Sequence, residues 1–363
     1  MRVVFVLPGI SDAPVGGYQV VYNYANFLSD ELGLDVYLVH DPTITRASNS
    51  YLSHKEALQW GVIGIAKTLI RAIRQNHQTP TWFRLSPNVK SMSMPARLFA
   101  VRDTDIIIAT SVQTAHTVSK LTEHAHAHGF YFIQHYEVWS APKDFVDSTW
   151  KLPLQKIVIA PWLVDIAHRL GEPAALVPNA MDSGAFPAGP DLDNRPSSVI
   201  AMVSPVPYKR TDLVCELFSL IADEYPDTKL STFGICDKPD GLPEQCAHYK
   251  QPNHQTLSQL YQSNQVYVCT SDFEGWHLPP AEALISRCMV VSTDIGGVRS
   301  YADGTALFSP VGDTQLLFNN VKSVLQHPKD FQTGVDKARS DLCAYSPADA
   351  ATRFATAIGA IEH

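Results

Sequence analysis

Two glutamates separated by seven residues stand in the segment of this chain that is best suited to chemistry. Residues 271–284 read SDFEGWHLPPAEAL, follow the apolar run QVYVC and contain Glu274 and Glu282. Gly275 allows the loop backbone to approach a ligand closely, and Pro279 suits a first helical turn because its missing N–H would be unpaired there. The pattern predicts a strand, a loop and a helix start whose free N–H groups and positive dipole end would bind a diphosphate.

The two carboxylates need a reason to lie beside a phosphate site, because they would repel the phosphate unless they face hydroxyl groups. Dinucleotide-binding folds use an acidic residue in this way, on a ribose. We therefore expect one glutamate on a ribose and the other on a transferred sugar. In the plainer alternative, Glu282 is a helix N-terminal acid and Glu274 a solvated turn residue. The combination with GWHLPP after a buried strand favours the ligand-binding interpretation.

The elements that must position this segment are short apolar runs that alternate with helical patterns. Such runs, separated by helices, indicate parallel sheets covered on both faces. The two series predict an α/β protein with two Rossmann-like, doubly wound domains, whose ligands bind beyond the carboxyl ends of the strands and in the cleft between facing domains. The runs are VVFVL (3–7), VYLVH (36–40), DIIIAT (105–110), FYFIQ (130–134), KIVIA (156–160), SVIAMVS (198–204), KLSTFG (229–234), QVYVCTS (265–271) and MVVST (289–293).

The length of 363 residues also favours two domains, since single cores stop growing near ~250–300 residues. We expect a first domain at 1–175, a Pro- and Gly-rich linker at 176–196 and a second domain at 197–345. The stretch 346–363 has helical spacing and could pack back on the first domain.

The composition excludes several classes of protein. A net charge of −8 argues against a nucleic-acid binder. No apolar run approaches the ~18 residues that span a bilayer, and the opening MRVVFVLPGI is too short for a signal peptide. The six cysteines lie in the second half without a Cys-x-x-Cys pair, which fits a reducing compartment. We therefore expect a cytoplasmic protein.

The motif EGWHLPPAEAL resembles the signature of the retaining nucleotide-sugar glycosyltransferases of family four, which have the GT-B fold of two Rossmann-like domains facing across a cleft. The similarity continues in order along the chain. The matching positions are Gly16-Gly17, NA-MD in VPNAMD (177–182), Lys209 in VSPVPYKRTDL and STDIGGV (292–298). The resemblance implies that 1–175 binds the acceptor and that 197–345 binds the nucleotide sugar.

The resemblance also implies roles for residues of the second domain. It puts Glu282 on the ribose hydroxyls and Glu274 on the donor sugar. Backbone N–H groups near His277 and Leu278 would hold the diphosphate, and Lys209 would balance its charge.

In the first domain, the resemblance puts His135 of YFIQHYE against the donor sugar. The Gly16-Gly17 backbone, Lys209 and the helix start would together meet the charge of the leaving group. Relatives retain the configuration of the sugar by front-face attack, in which the leaving phosphate helps to deprotonate the acceptor. They need no metal, and we assign neither a metal ligand, a cofactor nor a base.

Three positions depart from the family pattern. Ser204 stands where an arginine is usual, Arg299 replaces an acid and Ala180 replaces a glycine. Arg210, which directly follows Lys209, is a candidate substitute for the missing arginine.

The function expected from these residues is transfer of a hexose or deoxyhexose from a nucleotide diphosphate sugar to a glycan or lipid-linked glycan in bacterial surface polysaccharide synthesis. A short likeness of YFIQHYE to rhamnose-transferring relatives adds rhamnose to the candidate sugars. Two alternatives stay open: a nucleotide-sugar epimerase on the same scaffold, and a non-catalytic subunit that binds a nucleotide sugar.

Two other groups of residues could suggest metal sites. Asp103 and Asp105 form an Asp-x-Asp, but they precede a strand, at the wrong end for a ligand, and are interpreted as solvated. His124, His126 and His128 do not have the usual ligand spacing and are interpreted as a polar helix end.

Residues 57–102 contain seven basic side chains and no acid. Lys67, Arg71 and Arg74 share one face of a predicted helix whose other face is apolar. Such a helix could lie on an anionic membrane surface, which would make the protein peripheral at the inner face of the membrane. It could equally present a solvated basic face over the core, and both interpretations stay open.

Overall fold

The computed structural model describes residues 1–11, 14–44 and 79–361. The chain forms two compact units, one of Met1–Pro178 with Ala350–His363 and the other of Asn179–Asp349. Among the described residues, no helix is both long enough and apolar enough to cross a bilayer.

The first unit is built on a parallel sheet in the order β3-β2-β1-β4-β5-β6-β7. On the central strand, Val3 pairs with Val36 on one side and Ile106 on the other. The strands are β1 (Arg2–Pro8), β2 (Asp35–Asp41), β3 (Lys90–Ser93), β4 (Ile106–Ala109), β5 (His128–Ile133), β6 (Gln155–Val158) and β7 (Ala174–Leu176). The described helices of this unit are α1 (Gly16–Asp30), α2 (Val112–Ala125), α3 (Lys143–Trp150), α4 (Pro161–Arg169) and, at the end of the chain, α11 (Pro347–Ala357).

The second unit has a parallel sheet in the order β10-β9-β8-β11-β12-β13. Its strands are β8 (Ser198–Val203), β9 (Lys229–Gly234), β10 (Ala247–Lys250), β11 (Val266–Cys269), β12 (Met289–Thr293) and β13 (Leu307–Ser309). Its helices are α5 (Thr211–Glu224), α6 (His254–Ser263), α7 (Leu278–Ile285), α8 (Gly296–Ala302), α9 (Thr314–Gln326) and α10 (Pro328–Cys343). Two doubly wound α/β sheets are thus confirmed.

The strands with apolar runs are the inner strands of both sheets. On β1, the side chains from Val3 to Leu7 are at most 1% exposed, because helices cover both faces of the sheet. Four strands have no apolar run in the sequence: β3, β7, β10 and β13. These are the four edge strands, which are short and include partly exposed residues.

Helix α11 completes the core of the first unit. Phe354 is fully buried, and its ring lies 4.4 Å from the ring of Tyr24, 5.2 Å from Phe132 and 5.9 Å from Phe5. The chain therefore returns to the first unit after it has formed the second.

The structure corrects one interpretation of a lesser motif. Asp105 is not solvated but fully buried, and it accepts a hydrogen bond of 2.8 Å from Arg2 Nε. His124 lies in the last turn of α2, and His126 ends that helix in a left-handed conformation, as expected for a polar helix end. The part of the basic segment that carries Lys67, Arg71 and Arg74 lies outside the described residues.

Candidate functional site

The strand order of the second sheet creates one point where ligands of such folds bind. From β8 the chain runs outward to β9 and β10, then returns to β11 beside β8 and continues in the opposite direction. Loops that leave two neighbouring strands in opposite directions open a crevice at their carboxyl ends. The loop after β8 carries Lys209, and the loop after β11 carries Glu274.

These two loops are fastened to each other along their length. Thr270 Oγ1 donates a 3.0 Å hydrogen bond to the carbonyl of Lys209, and the Asp272 amide donates one of 2.8 Å to the carbonyl of Tyr208. The rings of Tyr208 and Phe273 stack with centroids 4.6 Å apart. The backbone positions of Lys209 and Glu274 are therefore fixed relative to each other.

Lys209 and Glu274 form an ion pair, in which the Lys209 ammonium donates to Glu274 Oε1. The Lys209 side chain is 15% exposed and that of Glu274 is 8% exposed. Ser271 Oγ donates a second hydrogen bond of 2.8 Å to the same carboxylate oxygen. Burial opposes ionisation of Glu274, but the neighbouring charge and hydrogen bonds hold the pKa of the carboxyl below its usual value.

The start of α8 packs closely against the backbone of Glu274. A Cβ atom on Gly297 would lie 2.7 Å from the Glu274 carbonyl oxygen, a distance that real Cβ atoms do not tolerate. Thr293 Oγ1 donates 2.6 Å to the Ser271 carbonyl from the end of β12. Gly297, the second glycine of STDIGGV, is thus required by the close approach of two backbones.

His277 occupies a strained position at the start of α7. Its backbone has φ 70° and ψ 93°, which lies outside the regions that a non-glycine residue adopts comfortably and costs on the order of 1–3 kcal/mol. The imidazole is buried, with Nδ1 3.3 Å from Cys269 Sγ. Burial lowers the pKa of His277 to about 3, so the ring is neutral near pH 7.

Glu282 lies on α7, beyond the first turn that a helix N-terminal acid would occupy. The helix begins at Leu278, which places Glu282 in the second turn. Its Oε2 accepts a 3.0 Å hydrogen bond from the hydroxyl of the buried Tyr261. Loss of hydration raises the pKa of Glu282 to about 7. Gly275 is buried and Leu278 partly exposed in the same strand–loop–helix unit.

Arg210 forms ion pairs with two other acids. It contacts Asp272 at 3.1 Å and Asp212 at 2.8 Å. Ser204, at the position of the missing arginine, accepts a hydrogen bond from the Val206 amide on its hydroxyl instead.

Arg299, at the position of the missing acid, pairs with two neighbouring acids. Its guanidinium donates hydrogen bonds of 2.9 Å to Asp294 and 2.6 Å to Asp303. This departure from the family pattern is therefore a self-contained surface cluster.

The remaining predicted site residues lie in the first unit, at the carboxyl edge of its own sheet. Gly16 and Gly17 open α1, the first helix after β1. Gln134 Nε2 donates 2.9 Å to the Gly17 carbonyl, which brings the segment before His135 against the glycine turn. The half-buried ring of His135 lies 6.0 Å from that of Trp162 and 6.4 Å from that of Trp139.

Sequence reasoning did not find Ser271, Cys269 or Tyr301. Tyr301 donates 2.9 Å to the His277 carbonyl, and its ring packs on Trp276 with centroids 4.4 Å apart. Ser271 lies within the motif and could have been singled out as a polar residue after a buried strand. Cys269 resembles any other apolar strand residue in the sequence. Only the backbone turn at His277 brings the imidazole ring to the Cys269 thiol.

The comparisons with known proteins agree with this geometry. Residues 197–327, which hold Lys209, Glu274 and Glu282, match the family model of "Glycosyl transferases group 1". No curated protein sequence matches the chain. Sucrose-phosphate synthase from Thermosynechococcus elongatus superposes with a TM-score of 0.70 at 15% identity, over 98% of this chain and 97% of that one.

Two further solved structures are similar over nearly their full length. HepE from Anabaena, solved in complex with UDP-glucose, has a TM-score of 0.70 at 12% identity and covers 99% of this chain and 100% of that one. The lipopolysaccharide outer core galactosyltransferase WaaB, in its apo form, has a TM-score of 0.68 at 14% identity, with 99% of each chain covered. The fold is GT-B. At these identities the likeness concerns the GT-B fold alone, while the group 1 match identifies a glycosyl transferase domain within the second unit.

Proposed function

We propose that this chain is a glycosyltransferase that moves a sugar from a nucleoside diphosphate to a glycan acceptor. The observation that carries the proposal is the contact of Lys209 with Glu274 at the point where the second sheet reverses its strand order. A cation and a carboxylate in one crevice suit a ligand with both a diphosphate and sugar hydroxyls. The group 1 match of this unit and the UDP-glucose bound to HepE support a nucleotide-sugar donor.

Each group of the crevice has a role in donor binding. Lys209 and the free N–H groups at the start of α7 face the diphosphate, because both supply positive charge without moving. Glu274 binds hydroxyls of the transferred sugar, and Glu282 binds the ribose. The neutral form of Glu282 is accessible near pH 7, so it can donate a hydrogen bond as well as accept one. Arg210 and Gly275 border the same crevice.

In the first unit, Gly16, Gly17 and His135 are candidate donor-binding residues by the family resemblance. The glycines put bare backbone at the start of α1, where a phosphate can approach the free N–H groups. His135 contacts the donor sugar.

The reaction is transfer with retention of configuration. The bond between the anomeric carbon and the β-phosphate oxygen breaks, and the acceptor hydroxyl bonds to the same face of that carbon. The acceptor proton passes to the departing phosphate, so no protein base is required. Lys209 stabilises the charge on the leaving phosphate, and one well-placed donor of this kind is worth roughly 3 kcal/mol in the barrier.

For the substrates, we propose a hexose or deoxyhexose donor, with rhamnose among the candidates, and a glycan or lipid-linked glycan acceptor in bacterial surface polysaccharide synthesis. The WaaB likeness is compatible with such an acceptor. The charge asymmetry of residues 57–102 supports peripheral binding at an anionic membrane. Flotation with vesicles that contain an anionic lipid tests this part, and absence of binding at low salt would contradict it.

The test begins with a panel of nucleoside diphosphates and their sugars, screened for a rise in melting temperature. The stabilising donor is then incubated with and without glycan acceptors, and products are examined by NMR. A product glycoside with the anomeric configuration of the donor supports the proposal. Donor conversion without acceptor would indicate an epimerase, and binding without turnover a non-catalytic subunit.

Substitutions of Glu274 and Lys209 test whether turnover depends on the crevice. Glu274→Ala and Lys209→Ala should each abolish turnover while far-ultraviolet circular dichroism shows that the fold survives. Lys322→Ala, which removes a surface ion pair with Glu224 in the same unit, is the matched control and should retain the wild-type rate. A near-normal rate in either crevice variant would remove that residue from the mechanism.

A further inference from the structure

The side chain of His277 has no role in a diphosphate site built from backbone N–H groups, yet both its ring and its backbone are held by neighbouring side chains. Nδ1 lies 3.3 Å from Cys269 Sγ, and the His277 carbonyl accepts the Tyr301 hydroxyl at 2.9 Å. The ring is 4% exposed. Glycine would suit φ 70° and ψ 93° without strain, so a histidine at this position invites a reason that involves its ring.

The other ring nitrogen faces the Glu274 carboxylate. His277 Nε2 lies 3.7 Å from Glu274 Oε1, too far for a hydrogen bond, and it has no other hydrogen-bond partner among the described residues. Buried polar atoms are rarely left unpaired in native proteins, and such an atom points to a partner supplied at another step.

We assign the tautomer of this ring from its contact with Cys269, in which the thiol is taken as the donor. Burial raises the pKa of the Cys269 thiol, so the sulfur keeps its proton and can donate it to Nδ1. A neutral imidazole that accepts at Nδ1 carries its proton on Nε2. The group aimed at Glu274 is then an N–H donor.

In this structure the Lys209 ammonium donates to Glu274 Oε1, the oxygen that His277 Nε2 faces. A donor diphosphate would compete for Lys209, because it carries more negative charge than one carboxylate. Glu274 would then lose its cation while it remains buried, and a buried carboxylate needs hydrogen bonds.

We propose that His277 is a positioning residue for Glu274: when the diphosphate draws Lys209 away, His277 Nε2–H becomes the hydrogen-bond partner of the carboxylate and keeps it aimed at the transferred sugar. This inference rests on the proposed function. Cys269 acts indirectly: its thiol donates to His277 Nδ1 and so keeps the ring proton on Nε2.

The variant His277→Gly separates this role from a purely structural one. Glycine removes the ring and relieves the backbone strain but leaves a cavity, so the melting temperature is measured first to show that the variant is folded. We expect kcat to fall by about tenfold or more, with KM for the donor changed less than threefold, since misplacement of a reacting group costs rate rather than binding. His126→Gly is the control for the backbone exchange alone, because His126 also has a positive φ, 53°, but its side chain is exposed at the end of α2. A His277→Gly variant that is folded and has wild-type kcat would overturn the proposal.

Variants at Cys269 test the relay. Cys269→Ala should lower kcat, and Cys269→Ser, which keeps a donor near Nδ1, should recover most of it. Two-bond ¹H–¹⁵N correlation spectra, assigned by comparison with His277→Asn, report the tautomer directly. A proton on Nδ1 in the wild type would refute the relay whatever the activity of the chain. Absence of turnover with every donor would instead refute the proposed function while the tautomer stays as described.

Discussion

Lys209 Nζ donates to Glu274 Oε1 across two loops that are 65 residues apart in the chain. Both side chains are mostly buried, and the two loops leave adjacent strands of the sheet in opposite directions. A buried ion pair adds little to stability by itself, but removal of one partner leaves an uncompensated buried charge. The pair therefore makes the crevice sensitive to single substitutions.

A double-mutant cycle on stability tests this coupling. Lys209→Met and Glu274→Gln should each lower the free energy of unfolding, Lys209→Met by about 3 kcal/mol because Glu274 then stays buried without its cation. The double variant should be more stable than the sum of the two losses predicts. Urea denaturation without ligand measures all four proteins. Strictly additive losses would contradict a direct interaction.

The close approach of Gly297 to Glu274 makes a second prediction. Gly297→Ala would put a methyl group 2.7 Å from a backbone oxygen that cannot rotate away, so we expect a loss of about 1–3 kcal/mol. Turnover should fall as well, since the relief of the clash must move Glu274. Gly334→Ala on α10 is the control, because its new Cβ would meet only an ordinary contact at 3.8 Å. The control should be neutral or stabilising. Equal behaviour of the two variants in urea denaturation would contradict the clash.

The contacts of Arg210 predict a limited role in donor binding. Arg210 is already paired with Asp212 and Asp272, which raise the pKa of its guanidinium. Part-exposed pairs of this kind contribute only about 0–1 kcal/mol. Calorimetric titration with a nucleoside diphosphate should show that Lys209→Gln weakens binding about tenfold or more and Arg210→Gln less than about threefold. A larger loss for Arg210→Gln would mean that Arg210 does replace the arginine missing at Ser204.

The inner strands of both sheets could be predicted from the sequence because burial on both faces leaves continuous apolar runs, as on β1 and β11. The edge strand β10 reads AHYK and has no such run. It becomes a strand by pairing with β9, a long-range interaction that a local pattern does not contain. A prediction that depends on buried apolar runs therefore misses edge strands.

The candidate site divides in a similar way. Glu274 and Glu282 could be singled out because one contiguous motif contains them, and Lys209 by resemblance alone. The contact of Lys209 with Glu274 depends on β8 and β11 being neighbours, which the order of strands along the chain does not state. The backbone of His277 could not be foreseen either, since positive φ is uncommon at any non-glycine residue and no local pattern marks this position.

The raised pKa of Glu282 predicts a pH-dependent cost to folding. The ordinary value of 4.5 applies to the unfolded chain, and the folded value is about 7. As the pH rises from 4.5 through 7, the unfolded chain loses this proton first, so Glu282 increasingly favours unfolding, and the cost is fully present above pH 7. Glu282→Gln keeps an acceptor for Tyr261 and removes the charge. Its gain in melting temperature over the wild type should be larger at pH 8 than at pH 5.

The control for this comparison is Glu216→Gln, on the exposed side of α5. Its effect on the melting temperature should be small at both values of pH. A Glu282→Gln gain that is the same at pH 5 and pH 8 would mean that the carboxyl is already charged in the folded protein at low pH, against the raised pKa.

The packing of α11 predicts that the first unit loses stability when the ring of Phe354 is removed. Phe354 fills the space between the rings of Phe5, Tyr24 and Phe132, and truncation of a fully buried phenylalanine to alanine typically costs about 3–5 kcal/mol. Urea denaturation should therefore show an early transition for Phe354→Ala, while Arg353→Ala, an exposed neighbour on the same helix, should behave as the wild type. Intrinsic tryptophan fluorescence reports mainly on the first unit, because five of the six tryptophans lie at positions 60–162 and the sixth, Trp276, lies in the second unit. A single unshifted transition would mean that the core of the first unit is stable without α11.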